Sequence, residues 1–196
     1  MDMAVRLAAP APFIETGRLI LTAPASADAG RIAALCNDRT VAENTALIPH
    51  PYAIDDALSW LASLESKSIA DALVLAIRLN IPDPVLIGVV GIERKHTNGE
   101  PELGYWLGAG YRGRGFATEA AKAAIRYAFQ TCGHPAIAAS CRLTNIASRR
   151  VIEKCGFSYA GLIRTHMHAL GKEEPMDFFR LSRDYWLRRQ SGSSHA

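Results

Sequence analysis

A chain of 196 residues has the length of one domain. Hydrophobic residues make up 49% of it and charged residues 21%, which excludes a disordered protein and allows a sizeable core. The net charge of +3 arises from 22 basic and 19 acidic residues spread along the chain, so composition carries no signature of a nucleic-acid binder, and no stretch approaches the ~20 apolar residues of a membrane helix.

Residues 1–12 are interrupted by Pro10 and Pro12 and carry Asp2 where a signal peptide has a basic start, so a cytoplasmic location is expected. Residues 18–22 alternate as a strand does, and Ser26-Ala27-Asp28 opens a helical run with Ile32, Leu35 and Cys36 on one face. Pro49-His50-Pro51-Tyr52 cannot be regular helix, and a second helix begins at Asp55 with Leu58, Leu61 and Leu64 as its apolar positions. Residues 73–79 and 85–93 are rich in Val, Ile and Leu and flank Pro82 and Pro84, which predicts an antiparallel hairpin; a further strand is predicted at 102–107.

A glycine-rich turn follows, and then the strongest helix, 118–131, with Ala121, Ala124, Ile125 and Ala128 on one stripe. Residues 135–141 read as a buried strand. Asn145 begins a helix that stops at Gly156, and two strands near 158–169 and 174–183 complete the pattern. Residues 190–196 are small and polar and are expected to be a disordered tail.

Four cysteines without C-x-x-C spacing predict reduced, mostly buried thiols. His166 and His168 would share one face of a strand, but no carboxylate or cysteine stands at ligand spacing beside them, so no metal is expected. The small basic clusters at Arg149-Arg150 and Arg188-Arg189 are read as solvated faces, and no nucleic-acid partner is expected.

The sharpest motif is Tyr111-Arg112-Gly113-Arg114-Gly115-Phe116-Ala117, placed between a strand and the long helix. A helix start offers unpaired N–H groups and the positive end of the macrodipole, so a glycine turn feeding it forms a nest for phosphate. Gly110 to Gly115 has P-loop spacing, but Phe116-Ala117 stands where Lys and Ser/Thr are required. Gly113 and Gly115 could start a dinucleotide fingerprint, but Thr118 occupies the third glycine position.

The pattern Arg112-x-x-Gly115-x-Ala117 resembles the pyrophosphate loop of the GNAT acetyltransferase superfamily. Asn145-x-x-Ser148-x-x-Val151-x-x-Lys154-x-Gly156-Phe157 resembles the helix that flanks the coenzyme A arm there. The segments Ile14-Glu15-Thr16-Gly17-Arg18-Leu19 and Glu102-Leu103-Gly104-Tyr105-Trp106-Leu107 resemble its ribosomal-protein N-acetyltransferase branch. Residue by residue, Asn145 is also explained as an N-cap and Gly156-Phe157 as a helix stop. The resemblance covers residues 13–186, leaving 1–12 and 187–196 as tails.

It implies an α/β fold with a mixed, mostly antiparallel sheet of six to seven strands, about four helices, and a splay between the fourth and fifth strands, 102–107 and 135–141. It further implies acetyl-CoA as co-substrate, an amine acceptor (a protein N-terminus or a small molecule) and no metal. Amides from Arg112 through Gly113, Arg114, Gly115, Phe116, Ala117 and Thr118 would hold the pyrophosphate, Asn145 and Ser148 would face the pantetheine arm, and N–H groups near Trp106 and Leu107 would receive the developing oxyanion.

Glu102 is the candidate base and Ser148, or else solvent, the candidate acid, because Ile152 stands where many members carry a tyrosine. The base need only be weak for an α-amine, of which ~14% is neutral at pH 7 against ~0.04% of a lysine amine. His50 and Tyr52 lie in a segment resembling the acceptor loop. The strand after Gly156 offers an edge on which a second copy could pair as a homodimer. A different class of function, a catalytically silent acyl-CoA sensor or scaffold, fits the same binding motifs.

Overall fold

The computed structural model describes residues 12–94 and 99–192, so expectations for 1–11 and 193–196 lie outside the described residues. Its frame is an eight-stranded sheet in the order β1-β2-β3-β4-β5-β6-β8-β7. The strands are β1 Phe13–Glu15, β2 Leu19–Thr22, β3 Ala72–Leu79, β4 Leu86–Glu93, β5 Glu102–Leu107, β6 Ala136–Arg142, β7 Ser158–Met167 and β8 Lys172–Ser182. Among the described residues six α-helices accompany them: α1 Ala29–Cys36, α2 Arg39–Glu43, α3 Ile54–Glu65, α4 Phe116–Gln130, α5 Ile146–Lys154 and α6 Arg183–Gly192.

The fold class is as expected, with three elements more than the sequence pattern offers. β1 is three residues long and α2 five, too short for either periodicity to register. α6 turns the expected tail into helix as far as Gly192, and its Trp186 packs at 5.4 Å on the Phe129 ring of α4. The expected pairing of His166 and His168 on one strand also fails. β7 ends at Met167, and His168 opens a short 3-10 turn tied by its N–H to the Ala46 carbonyl at 2.9 Å.

Strand alternation sorts side chains to two faces. On β3, Leu73, Leu75 and Ile77 join the larger core with α4, whereas Ala76 joins a second core with α1 and α3. α4 packs closely because Ala120, Ala121, Ala124 and Ala128 are fully buried and small. Ile125 and Phe129 anchor it, each contributing about 1.5–3 kcal/mol by burial. Among the described residues, no helix is long and apolar enough to cross a membrane.

Every junction in the sheet is antiparallel except β5–β6, which is parallel and in register only at Glu102–Ala138 and Leu103–Ala139. Beyond Leu103 the two strands diverge, which opens the sheet where the sequence places its splay. β7 lies at one edge of the sheet, the position from which a second copy could be reached.

Candidate active site

Gly115 caps α4 in the left-handed conformation at φ 81°, and Gly113 also has positive φ, 74°. A side-chain-bearing residue adopts this only with strain, so the turn depends on glycine. Glu119 is the first helix residue whose amide turns inward, to the Gly115 carbonyl at 3.1 Å. The N–H groups of Phe116, Ala117 and Thr118 precede that bond and point out of the helix start. The helix begins two residues earlier than the sequence pattern suggests, and this places the phosphate-type nest on the first turn itself.

A cleft of about 420 Å³ runs from this nest to α5. Gly113, Gly115, Phe116, Ala117 and Thr118 line one side, and Asn145, Ser148, Arg150 and Lys154 the other. Asn145 caps α5, its Oδ1 accepting from the Ser148 N–H at 3.0 Å, so the backbone role and the cleft position coincide. Arg114 is not on the cleft wall: its guanidinium lies 4.9 Å from the Phe116 ring centre, and that of Arg18 lies 4.7 Å from the same ring.

Arg112 lines the cleft but already has partners. Its Nε donates to the Leu107 carbonyl at 3.0 Å and its Nη2 to Asp38 Oδ2 at 2.6 Å. Asp38 also caps α2, accepting from the Thr40 N–H at 2.8 Å. Burial pushes the Asp38 carboxyl pKa up, but the Thr40 amide and the Arg112 guanidinium outweigh it and hold the pKa below the usual value. Arg112 thus latches the α1–α2 corner to the end of β5, a structural duty in addition to its charge.

The opened sheet presents backbone to the cleft. The Gly108 N–H donates to the Ile87 carbonyl at 3.0 Å, and with Gly88 opposite Leu107 this fixes the alternation of β5. The Trp106 N–H therefore turns towards β4, and those of Tyr105 and Leu107 face the gap. Trp106 contributes its side chain instead. At Gly88 a Cβ would strike the Trp106 carbonyl, so the strands can approach this closely only with glycine there.

Tyr105 went unrecognised at sequence level, and it stands at the centre of the site. Its hydroxyl lies 2.9 Å from Ser148 Oγ and 3.1 Å from the Ser148 carbonyl, bridging β5 to α5 across the gap. Burial pushes its phenol well above the usual tyrosine range, although the Ser148 hydrogen bond opposes this. It is therefore protonated at any working pH. Its only advance signal was strand alternation, which places it facing away from Glu102, Gly104 and Trp106.

A second cavity, of about 340 Å³, opens on the other side of β5 and shares Thr45, Tyr105 and Trp106 with the first. Its floor is β4 and β5; α1, α3 and the 45–49 loop form its walls. Glu102 lines it and accepts from Ser140 Oγ at 2.6 Å. Tyr52 also lines it, 8% exposed, whereas its neighbour His50 is exposed and off the wall. Trp60, Asp56 and Glu93 line it as well, residues that sequence spacing alone did not single out. Cys141 is on neither wall, and burial pushes its thiol up to about 11, which leaves it protonated and a poor nucleophile.

Comparison with known proteins agrees with this geometry. The family described as "Acetyltransferase (GNAT) domain" matches residues 18–158. A putative ribosomal N-acetyltransferase of Bacillus subtilis, YdaF, is 28% identical over 105 residues, 53% of this chain and 57% of that protein, so the chain spans little over half of that relative's length. An uncharacterized N-acetyltransferase of the same organism, YoaA, is 29% identical across 82% of this chain and 90% of its own. The solved structure of the microcin C7 self-immunity acetyltransferase MccE, in complex with acetyl-CoA and AMP, superposes with a TM-score of 0.72 at 23% identity, covering 85% of this chain and 93% of that one. With nearly three quarters of its length matched by the family and its sheet opened between β5 and β6, the chain belongs to the GNAT acetyltransferases.

Proposed function

We propose that the protein transfers an acetyl group from acetyl-CoA to a primary amine. The observation that carries this reading is that a cationic cleft and a separate cavity meet at Thr45, Tyr105 and Trp106, beside the gap between β5 and β6. Acetyl-CoA supplies an activated acyl group on a long arm that ends in phosphates. The α4 nest, with Arg150 and Lys154 opposite, suits the pyrophosphate, and the gap-facing amides of β5 suit the amide-bearing arm as an added strand.

At the junction, the amides of Tyr105 and Leu107 are the candidate donors to the thioester oxygen as negative charge develops on it. Glu102 accepts the amine proton, directly or through water, as nitrogen bonds to the acetyl carbon and the carbon–sulfur bond breaks. Ser148 donates a hydrogen bond to the departing sulfur, its hydroxyl oriented by Tyr105. Tyr105 does not itself give up its proton. A thiolate whose conjugate thiol has a pKa of about 8.5 is a weaker base than a phenolate whose pKa is raised above 10, so the transfer would be uphill.

The test is calorimetric binding of acetyl-CoA together with thiol release in the presence of an amine panel. Binding with turnover on at least one amine supports the proposal. Binding without turnover on any amine, unchanged by Glu102→Gln, identifies a silent acyl-CoA sensor instead.

A further inference from the structure

The floor of the cavity assigned to the acceptor is three cross-strand pairs of β4 and β5: Val89 opposite Trp106, Gly91 opposite Gly104, and Glu93 opposite Glu102. All six residues line the cavity. The glycine pair removes side chains from the middle of the floor and leaves a trough of bare backbone. Glycine weakens a strand interior, so at the centre of a sheet it marks a bulge, a close backbone neighbour or a ligand.

Gly88 has the second of these causes, since a Cβ there would strike the Trp106 carbonyl. Gly104 has neither of the first two. The β4–β5 register passes through it without a shift, its φ lies outside the left-handed region, and a Cβ would meet nothing within 4 Å. Gly91 opposite would place a Cβ at ordinary contact distances of 3.4 Å and more. Gly104 is also exposed, although β5 lies between β4 and β6. The remaining cause is a ligand body that lies where a side chain would be.

The surface of the trough follows from the strand ladder. The Gly108 N–H bonds the Ile87 carbonyl, and alternation from there makes Gly104 and Gly91 a pair that exchanges both N–H···O bonds. Their polar groups are used within the sheet, and Cα–H faces the cavity. Such a floor offers close contact and no hydrogen bonds, which favours a flat apolar body. Tyr52 and Trp60 stand in the walls, and Trp106 stands between the trough and the junction with the cleft. Gly104 and Trp106 are two residues apart on one strand, about 7 Å.

We propose that the acceptor is a primary amine carried on a planar aromatic ring, with the ring on Gly91 and Gly104 and the amine about two carbons away at the junction. The inference rests on the transferase reading and names its substrate class; the chemistry at the amine is unchanged. Tyr52, Trp60 and Trp106 supply ring faces and edges around it. A puckered ring cannot lie flat on the floor, and a hydroxyl-rich amine loses its water against a surface that offers no partner.

The matched pair 2-phenylethylamine and 2-cyclohexylethylamine has the same charge, tether and carbon count and differs in planarity. Both, with glucosamine, are followed by thiol release with acetyl-CoA and by calorimetric titration of the coenzyme A-loaded protein. Phenylethylamine is expected to lead its saturated partner by about tenfold and glucosamine by about 100-fold, in kcat/KM or in Kd. Gly104→Ala puts a methyl group where the ring lies. It should raise the phenylethylamine KM or Kd about tenfold and narrow the margin over cyclohexylethylamine, with acetyl-CoA affinity unchanged. Its Tm should rise by about 1–4 °C, because alanine restricts the unfolded chain. Equal use of the flat and puckered rings, no binding of any amine, a margin untouched by Gly104→Ala, or a fall in its Tm overturns the proposal. Selective binding of the flat ring without turnover sinks the transferase reading and leaves this one standing, whereas turnover without that preference does the opposite.

Discussion

The two cavities, proposed as donor cleft and acceptor cavity, share Thr45, Tyr105 and Trp106, yet they are made of different material. The donor side is largely main chain: a left-handed glycine turn, the first amides of α4, and strand edges left unpaired by the β5–β6 splay. Its nest depends on the glycines at 113 and 115, and Asn145, Ser148, Arg150 and Lys154 add side chains on the facing wall. The acceptor side is side chains gathered from α1, α3, β3, β4, β5 and the 45–49 loop, and its chemistry is set by their identity. The difference implies that the donor can stay fixed while the acceptor changes with a few substitutions.

The largest expected effect comes from breaking the main-chain side. Gly115→Val forces a β-branched residue towards φ 81° and should raise the KM for acetyl-CoA about 100-fold or more while leaving acceptor affinity within a few-fold, as read by calorimetry and initial rates. The complementary change fills the trough. Gly104→Leu meets no atom at its Cβ, so the fold should hold while acceptor KM rises about 30-fold and the acetyl-CoA Kd stays put. If both constants move together in either variant, the two sites are not separate and the comparison fails.

Tyr105→Phe sharpens the junction. It removes the hydroxyl that bridges to Ser148 and should lower kcat about tenfold with little change in either KM. The pH profile should keep its shape, because the phenol is protonated throughout. A new acidic limb near neutral pH, or a KM effect larger than the kcat effect, would contradict the assignment of Tyr105 as a positioning residue.

The smallest effect concerns the latch. Arg112→Leu should destabilise the protein by about 1–2 kcal/mol at pH 7 in urea titration, since the pair is partly exposed and screened. The Asp38 carboxyl has a lowered folded pKa, so the unfolded state binds protons more readily. The contribution is complete above the unfolded value of about 3.9 and is lost as pH falls through the lower folded value. The deficit of the variant should therefore shrink below about pH 4.

Legibility followed chain locality. The α4 turn, the Asn145 cap and the glycine stop at Gly156 are each contained in a few consecutive residues, and the structure places all of them where the spacing puts them. Tyr52 is legible through its loop, but His50 beside it is exposed and off the cavity wall, because a two-residue offset in irregular backbone carries no fixed facing. Arg112 is assigned from the loop pattern, for its amide and its charge, and not for an ion pair. Its partners Asp38 and the Leu107 carbonyl are 74 and five residues away, and nothing local announces the first of them.

The sequence by itself determined the family, the glycine turn ahead of α4 and the strands that would open, because backbone conformation and helix capping are decided by near neighbours. Only the tertiary structure decided which carboxylates face each other, which amides of β5 face the gap, and that Tyr105 meets Ser148 across 43 residues. Those contacts depend on strand register and on the angle at which α5 closes over the splay, both settled by packing across the whole sheet.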